Sequence, residues 1–167
     1  SQSSLEKKSF AKRLTKLKSQ IHIVKTGDKL PIFDSQLYFL SAGLEGEGSN
    51  NNSLVTYGTF YKTKFLFTGD LEEEGEQYLQ RNYPHLQADV LKVGHHGSKS
   101  SSKPEFLQTL NPKIALISVG MNNRYKHPSQ ETLDNLSSEK IKVYRTDQQG
   151  AIRLIQEKNV WKIQTVK

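Results

Sequence analysis

Four residues have the types and settings to do chemistry: Asp70, His95, His96 and His127. The chain has no cysteine, which rules out disulfides and thiolate metal ligation, so any bound metal must be held by imidazole and carboxylate groups. His95 and His96 are adjacent, flanked by Gly94 and Gly97, and follow the short apolar run Val90, Leu91, Val93. A strand end exposes successive side chains on opposite sides. One imidazole could therefore bind metal while its neighbour donates a proton or binds an oxyanion. Asp70 follows a second apolar run, Phe65–Phe67, after Thr68 and Gly69. His127, with Pro128 after it, lies on a loop beyond a third run, KIALISV at 113–119, which would bring it to the same rim.

Plainer readings stand beside each of these. Asp70 and Glu73 form an Asp-x-x-Glu pair before a helix, a capping-box-like signature. One carboxylate oxygen can cap while the other binds metal. Lys99 and the hydroxyls of Ser98, Ser100, Ser101 and Ser102 suit phosphate contacts, but a polar loop explains the serines at least as well. An exposed loop position accounts for His127 equally well, and His22 and His85 sit in settings that imply nothing. A catalytic metal site takes at least three protein ligands, so Asp70 with one or two histidines reads as part of a site.

The elements that must carry these residues read as an α/β chain with a mixed sheet. An amphipathic helix is expected over residues 1–20, with Phe10, Leu14 and Leu17 on one face and lysines on the other. Short strands are expected at 21–24, 30–33 and 37–40, with a turn at Gly27 and Asp28. A glycine-rich polar loop follows at 43–53, then a hairpin of strands 53–60 and 62–68 turning near Tyr61 and Lys62. Helices are expected over 71–81, 104–110 and 130–136, the last begun by Pro128 and Ser129. Strands at 90–93, 113–119 and 141–145 alternate with them, and 150–156 with 160–166 form a closing antiparallel pair.

At 167 residues the chain fits one domain with a real core. No run approaches the roughly 18 apolar residues of a membrane span, so a soluble chain is expected. The net charge of +7 arises from 24 basic and 17 acidic residues, with six lysines and arginines among the first 18 residues. That surplus favours a polyanionic partner, nucleic acid or acidic lipid, although a solvated basic helix face would explain it too.

The ordered pieces NNSLVTYG at 51–58, FLFTGDLEEEGEQYL at 65–79, ADVLKVGHHGSKSSS at 88–102, PKIALISVGMNNRYKHPSQETLDNL at 112–136 and VYRTDQQGAIRL at 143–154 resemble the metallo-β-lactamase-like domain of the ComEC competence family. TGD and HHGS are shared by many hydrolases of this kind; SVGMNNRYKHP followed by YRTDQQGAI is specific to the ComEC type. The resemblance implies an αββα sandwich with mixed sheets, of which residues 1–167 would be the C-terminal portion, a single domain truncated at its N-terminal side. It also implies a binuclear centre of zinc or manganese. Asp70 would be the bridging carboxylate and His96 a ligand, with His95 contacting a substrate phosphate and His127 lining the site. The family's His-x-(His/Asp)-x-Asp-His motif has no match here. The chain is therefore expected to begin after it and to hold metal incompletely, and Asn51, Asn52 and Ser53 stand where an intermediate histidine would serve.

By resemblance, the parent protein sits in the cell membrane with this domain on the extracellular face, beside its transmembrane channel portion. Its expected activity is metal-dependent phosphodiester hydrolysis on incoming single-stranded DNA, with little activity from this piece alone. The alternatives are a non-catalytic basic DNA-handling module and a hydrolase of another phosphodiester. The uncovered face of a truncated domain would invite self-association.

Overall fold

The computed structural model describes residues 12–13, 23–42, 50–157 and 160–166. The helix expected over 1–20 lies outside these, apart from Lys12 and Arg13, which are helical. Residues 21 and 22 lie outside them too. Ile23 and Val24 are described and are not strand: pairing at this edge begins only at Lys29 against Tyr38, and Ile23 is 86% exposed.

Seven strands form one sheet in sequence order: β1 (Lys29–Ile32), β2 (Ser35–Ala42), β3 (Leu54–Phe60), β4 (Thr63–Phe67), β5 (Val90–Lys92), β6 (Ile114–Ile117) and β7 (Lys142–Arg145). β1 to β4 are antiparallel neighbours, whereas β4 to β7 run parallel. Between β3 and β4, Tyr61 and Lys62 both take left-handed φ, 48° and 66°. A two-residue turn of that hand matches the twist of a hairpin. Of the polar loop expected at 43–53, residues 43–49 lie outside the described set, and Asn50 to Asn52 form a turn.

Parallel neighbours require crossovers, and each is a helix. These are α1 (Glu73–Asn82), α2 (Pro104–Leu110) and α3 (Gln130–Ser138). Their apolar faces cover one side of the sheet: Leu79 of α1, Phe106, Leu107 and Leu110 of α2 and Leu136 of α3 pack with Leu66, Leu91, Ala115 and Ile117 of the strands, all at most 2% exposed. Side chains alternate along a strand, so Phe65 faces away from Leu66 and onto the other side. There a separate hairpin, β8 (Ala151–Glu157) with β9 (Val160–Val166), meets the sheet. Its Trp161 ring lies edge-on to Phe65 at 5.4 Å, and the indole N–H donates to Thr63 Oγ1 at 2.6 Å. A short helix not expected from the sequence, α4 (Thr146–Gln149), links β7 to this hairpin.

The parallel half fixes where chemistry can sit. β4, β5 and β6 all end at the same rim, and the segments leaving them carry Asp70, His95 with His96, and His127. Because β3 is antiparallel to β4, the segment entering β3, with Asn51 and Ser53, lies at that rim too.

Candidate functional site: a carboxylate–imidazole pair at the sheet rim

Beyond β4, the buried Thr68 hydroxyl donates to the Lys92 carbonyl at 2.7 Å, tying the tips of β4 and β5. Gly69 then turns the chain at φ +60°, where a Cβ would come 3.0 Å from the Ser53 side chain. That close approach lets the Asp70 N–H donate to Ser53 Oγ at 2.9 Å. Beneath, the Lys92 ammonium donates to the Gly69 carbonyl at 2.7 Å. Burial lowers the Lys92 pKa, and the Asp70 charge offsets this only in part.

Asp70 is not a helix cap, which corrects the capping-box reading. α1 starts at Glu73 with Glu72 at its boundary, and the first free N–H groups find other acceptors. Asn51 Oδ1 accepts from Glu72 and Gly75 at 3.1 and 3.2 Å, and the Ser100 carbonyl accepts from Glu73 at 2.7 Å. The Asp70 side chain, 47% exposed, is thereby left facing the rim.

Beyond β5, Gly94 passes so close to α1's approach that a Cβ would sit 2.5 Å from the Leu71 carbonyl oxygen. His95 and His96 follow in left-handed backbone, φ 42° and 54°, within the short 3-10 turn Gly94–Gly97. His96 Nδ1 lies 2.7 Å from the Ser118 carbonyl oxygen at the end of β6. A carbonyl only accepts, so Nδ1 carries the proton and Nε2 presents a lone pair. That lone pair points toward Asp70, with Nε2 3.7 Å from Oδ1. The separation is too long for a hydrogen bond. It is close to the spacing of two ligands on one ion at metal–ligand distances of about 2.1 Å. A backbone carbonyl that orients a ligating imidazole through its other nitrogen is also the usual support of a metal-bound histidine. Asp70 and His96 thus fit as ligands of a divalent ion. Among the described residues no three His, Asp, Glu or Cys side chains are arranged to hold one metal ion, so the pair does not make up a centre by itself.

His95 has a different anchor. Its Nδ1 lies 3.1 Å from Glu72 Oε1, an oxygen that also accepts from the Ser100 hydroxyl at 2.8 Å, and Asn50 Nδ2 is 3.5 Å away. Burial pushes the Glu72 carboxyl up, but hydrogen bonds from Ser100, Asn50 and His95, with the His95 charge, outweigh it and hold its pKa below the usual value. An ionised carboxylate only accepts, so His95 directs its Nδ1 proton at Glu72 and keeps Nε2 for other work.

His127 meets His95 edge-on, ring centroids 5.6 Å apart. Burial lowers the His127 pKa, and the charges of His95 and His96 lower it further. Its loop leaves β6 and is held by Asn123, whose Oδ1 accepts the His127 N–H at 2.9 Å and whose Nδ2 donates to the His127 carbonyl at 2.7 Å.

The structure therefore brings Asp70, His95, His96 and His127 to one place. The serines do not serve as a phosphate cradle. Ser98, Ser101 and Ser102 are buried, and Ser101 Oγ bonds the Gly94 and Ser98 carbonyls at 2.9 and 3.0 Å, while Ser100 serves Glu72. Glu72, Asn51, Lys92 and the Ser118 carbonyl were not singled out from sequence as partners of the site. Only Asn51 had a signal, as one of three side chains standing where an intermediate histidine would serve.

Residues 23–120 match the family model described as Metallo-beta-lactamase superfamily. The chain is 50% identical over 134 residues to ComE operon protein 3 of Bacillus subtilis (strain 168), covering 80% of the chain and 17% of that protein. It is 42% identical over 89 residues to Competence protein ComA of Neisseria gonorrhoeae, 53% of the chain and 13% of that protein. Against Recombination protein 2 of Haemophilus influenzae it is 36% identical over 105 residues, 63% of the chain and 13% of that protein. The chain thus spans a small part of the length of each of these relatives.

Proposed function

This chain belongs to the metallo-beta-lactamase superfamily, as a domain of the ComEC competence type, and we propose that it serves phosphodiester hydrolysis on incoming single-stranded DNA. The observation that carries this reading is the Asp70–His96 pair. A carboxylate oxygen and an imidazole lone pair stand 3.7 Å apart, with the far side of the imidazole fixed by the Ser118 carbonyl. Asp70 and His96 would hold a divalent ion, zinc or manganese, together with donors beyond this pair. Such an ion supplies Lewis-acid polarisation of a phosphoryl oxygen and a nucleophile at neutral pH.

The remaining work falls to groups already in place. His95, its Nδ1 proton directed at the Glu72 carboxylate, would in its doubly protonated form donate from Nε2 to a phosphate oxygen or pass that proton to the departing alkoxide. His127 walls the same space, and Lys92 sets a positive charge under the Asp70 turn. In the parent protein, the domain would lie on the extracellular face of the cell membrane beside the channel portion. No helix of the described residues is long and apolar enough to cross a membrane.

The experiment has two arms. Titrating the chain itself with manganese or zinc should give weak binding of a divalent ion that Asp70→Ala and His96→Ala each abolish. In a longer polypeptide carrying this sequence with the upstream His-rich motif, an end-labelled single-stranded oligonucleotide should be shortened in the presence of manganese. Asp70→Ala should lower that rate by at least about a hundredfold. Salt-sensitive DNA binding without any product would instead favour the non-catalytic module, which the +7 charge supports.

A further inference from the structure

Arg124, Tyr125, His127 and His95 are linked by pairwise contacts that run to the rim, with Arg124 Nη2 donating to the Tyr125 hydroxyl and much of the Tyr125 ring left open. The Arg124 guanidinium carbon lies 4.7 Å from the Tyr125 ring centroid. Tyr125 stacks on His127, centroids 5.8 Å apart and planes 18° from parallel. His127 in turn meets His95, whose Nε2 is left free beside the Asp70–His96 pair. The outer members are open to solvent, Tyr125 at 64% and its loop neighbour Met121 at 75%. Apolar groups left so exposed contribute little burial to the fold. Yet the loop that shows them is stiff, because the Asn123 side chain bonds the His127 N–H, the His127 carbonyl and the Gly120 carbonyl. Arg124 and Lys126 are exposed on the same loop and add positive charge.

A rigid loop that holds an exposed aromatic ring beside a guanidinium is a preorganised contact for another flat, electron-rich ring. Its height above His95 places that ring one side chain away from where a phosphate would sit. We propose that Arg124, Tyr125 and His127 form a stacking platform that receives an unpaired nucleobase next to the phosphodiester, and so selects single strands. The proposal rests on the phosphodiesterase reading for its choice of ligand. Selection follows from the geometry: a base inside a duplex has both faces covered by its neighbours and has none to offer Tyr125, whereas an unpaired base has one free. The platform is indifferent to base identity, since every base has a π-face.

The test uses this chain and three labelled oligomers of about ten nucleotides, a length within one domain's reach. They are an oligothymidylate, an abasic strand of equal charge, and a duplex, compared by fluorescence anisotropy at one salt concentration. The oligothymidylate should bind at least about fivefold tighter than the abasic strand, the least that stacking one base provides. Tyr125→Ala should erase that preference while leaving the abasic affinity and the circular dichroism spectrum unchanged, and Tyr125→Phe should keep it. Equal affinity of the wild type for both strands overturns the platform. So does a Tyr125→Ala loss shared by both strands, or a duplex bound as tightly as the single strand. A failed platform with Asp70-dependent cleavage intact leaves hydrolysis standing. An intact base preference in a protein that never cleaves removes the hydrolytic reading and leaves the platform.

Discussion

Two loops leave neighbouring parallel strands and border the same site, and they are built in opposite ways. The segment 94–103, after β5, is sewn into the interior. Glu76 of α1 accepts the Ser102 and Lys103 backbone N–H groups, Thr132 of α3 donates to the Ser98 carbonyl, and Ser101 closes the loop on itself. The segment 120–127, after β6, is mostly exposed and is stitched chiefly by its own Asn123. The first holds its chemical groups through buried hydrogen bonds and is inseparable from the core. The second presents flat and charged side chains to whatever arrives. Where both must be accurate, the fold spends buried polar contacts on one and leaves the other free to vary without unfolding the domain.

Changes within the buried loop should therefore cost folding, and changes on the exposed loop should cost only binding. The largest effect is expected at Glu76, which is 2% exposed. Glu76→Ala would orphan two backbone donors, destabilising the domain by about 2 kcal/mol or more in urea unfolding. If it costs less than Tyr125→Ala, the contrast between the loops is broken.

Glu76 also sets a pH dependence. Burial, only partly offset by the Lys103 and Ser102 N–H groups and the Lys103 charge, raises its pKa from 4.5 to about 7. A raised folded pKa favours the protonated form, so this contribution is fully present below 4.5 and is lost as pH rises through about 7. Wild-type stability should fall over that window relative to Glu76→Gln, and parallel curves would refute the assignment.

Next comes Gly97, where the two loops touch. At φ +82° its added Cβ would lie 2.6 Å from Pro128 Cβ. Gly97→Ala should cost about 1–3 kcal/mol and shift the His95 and His127 ring resonances together. A smaller effect is expected for Glu72→Ala, whose side chain is 30% exposed. Stability should change by about 1 kcal/mol or less, while nitrogen NMR of His95 should lose its single Nδ1–H tautomer. Unchanged His95 nitrogen shifts would deny Glu72 its positioning role. Smallest of all, Tyr125→Ala should move the unfolding midpoint by no more than about 0.5 kcal/mol.

Much of this was legible before any coordinates. The apolar runs at 65–67, 90–93 and 113–119 carry strands, the last two trimmed to Val90–Lys92 and Ile114–Ile117, α2 begins and ends as its Pro104 and apolar spacing predict, and the closing hairpin pairs as expected. The resemblance to the ComEC type placed Asp70 and His96 together, and they lie together. The partners that give these groups their roles were not legible, because each arrives from 21 to 23 positions away with no local pattern: Ser118 for His96, Glu72 for His95, Asn51 for the start of α1. The capping alternative for Asp70 fails for the same reason. The local pattern was sound, but Asn51 reached those N–H groups from across the rim. α4 was missed because four polar residues carry no periodicity; what holds it is Thr146, whose hydroxyl bridges the Val119 N–H and carbonyl.

The left-handed backbone at His95 and His96 has a practical consequence. Two successive side-chain-bearing residues are kept where glycine is the residue of preference, an arrangement that works against thermal robustness and persists for the sake of the rings. A glycine at either position gives up the imidazole but relaxes the main chain. His95→Gly and His96→Gly should thus yield well-folded proteins that lack one imidazole, better controls for the proposed roles of the rings than the alanine versions. The same trade-off marks this turn as the place where a search for hardier variants would lose the paired imidazoles first.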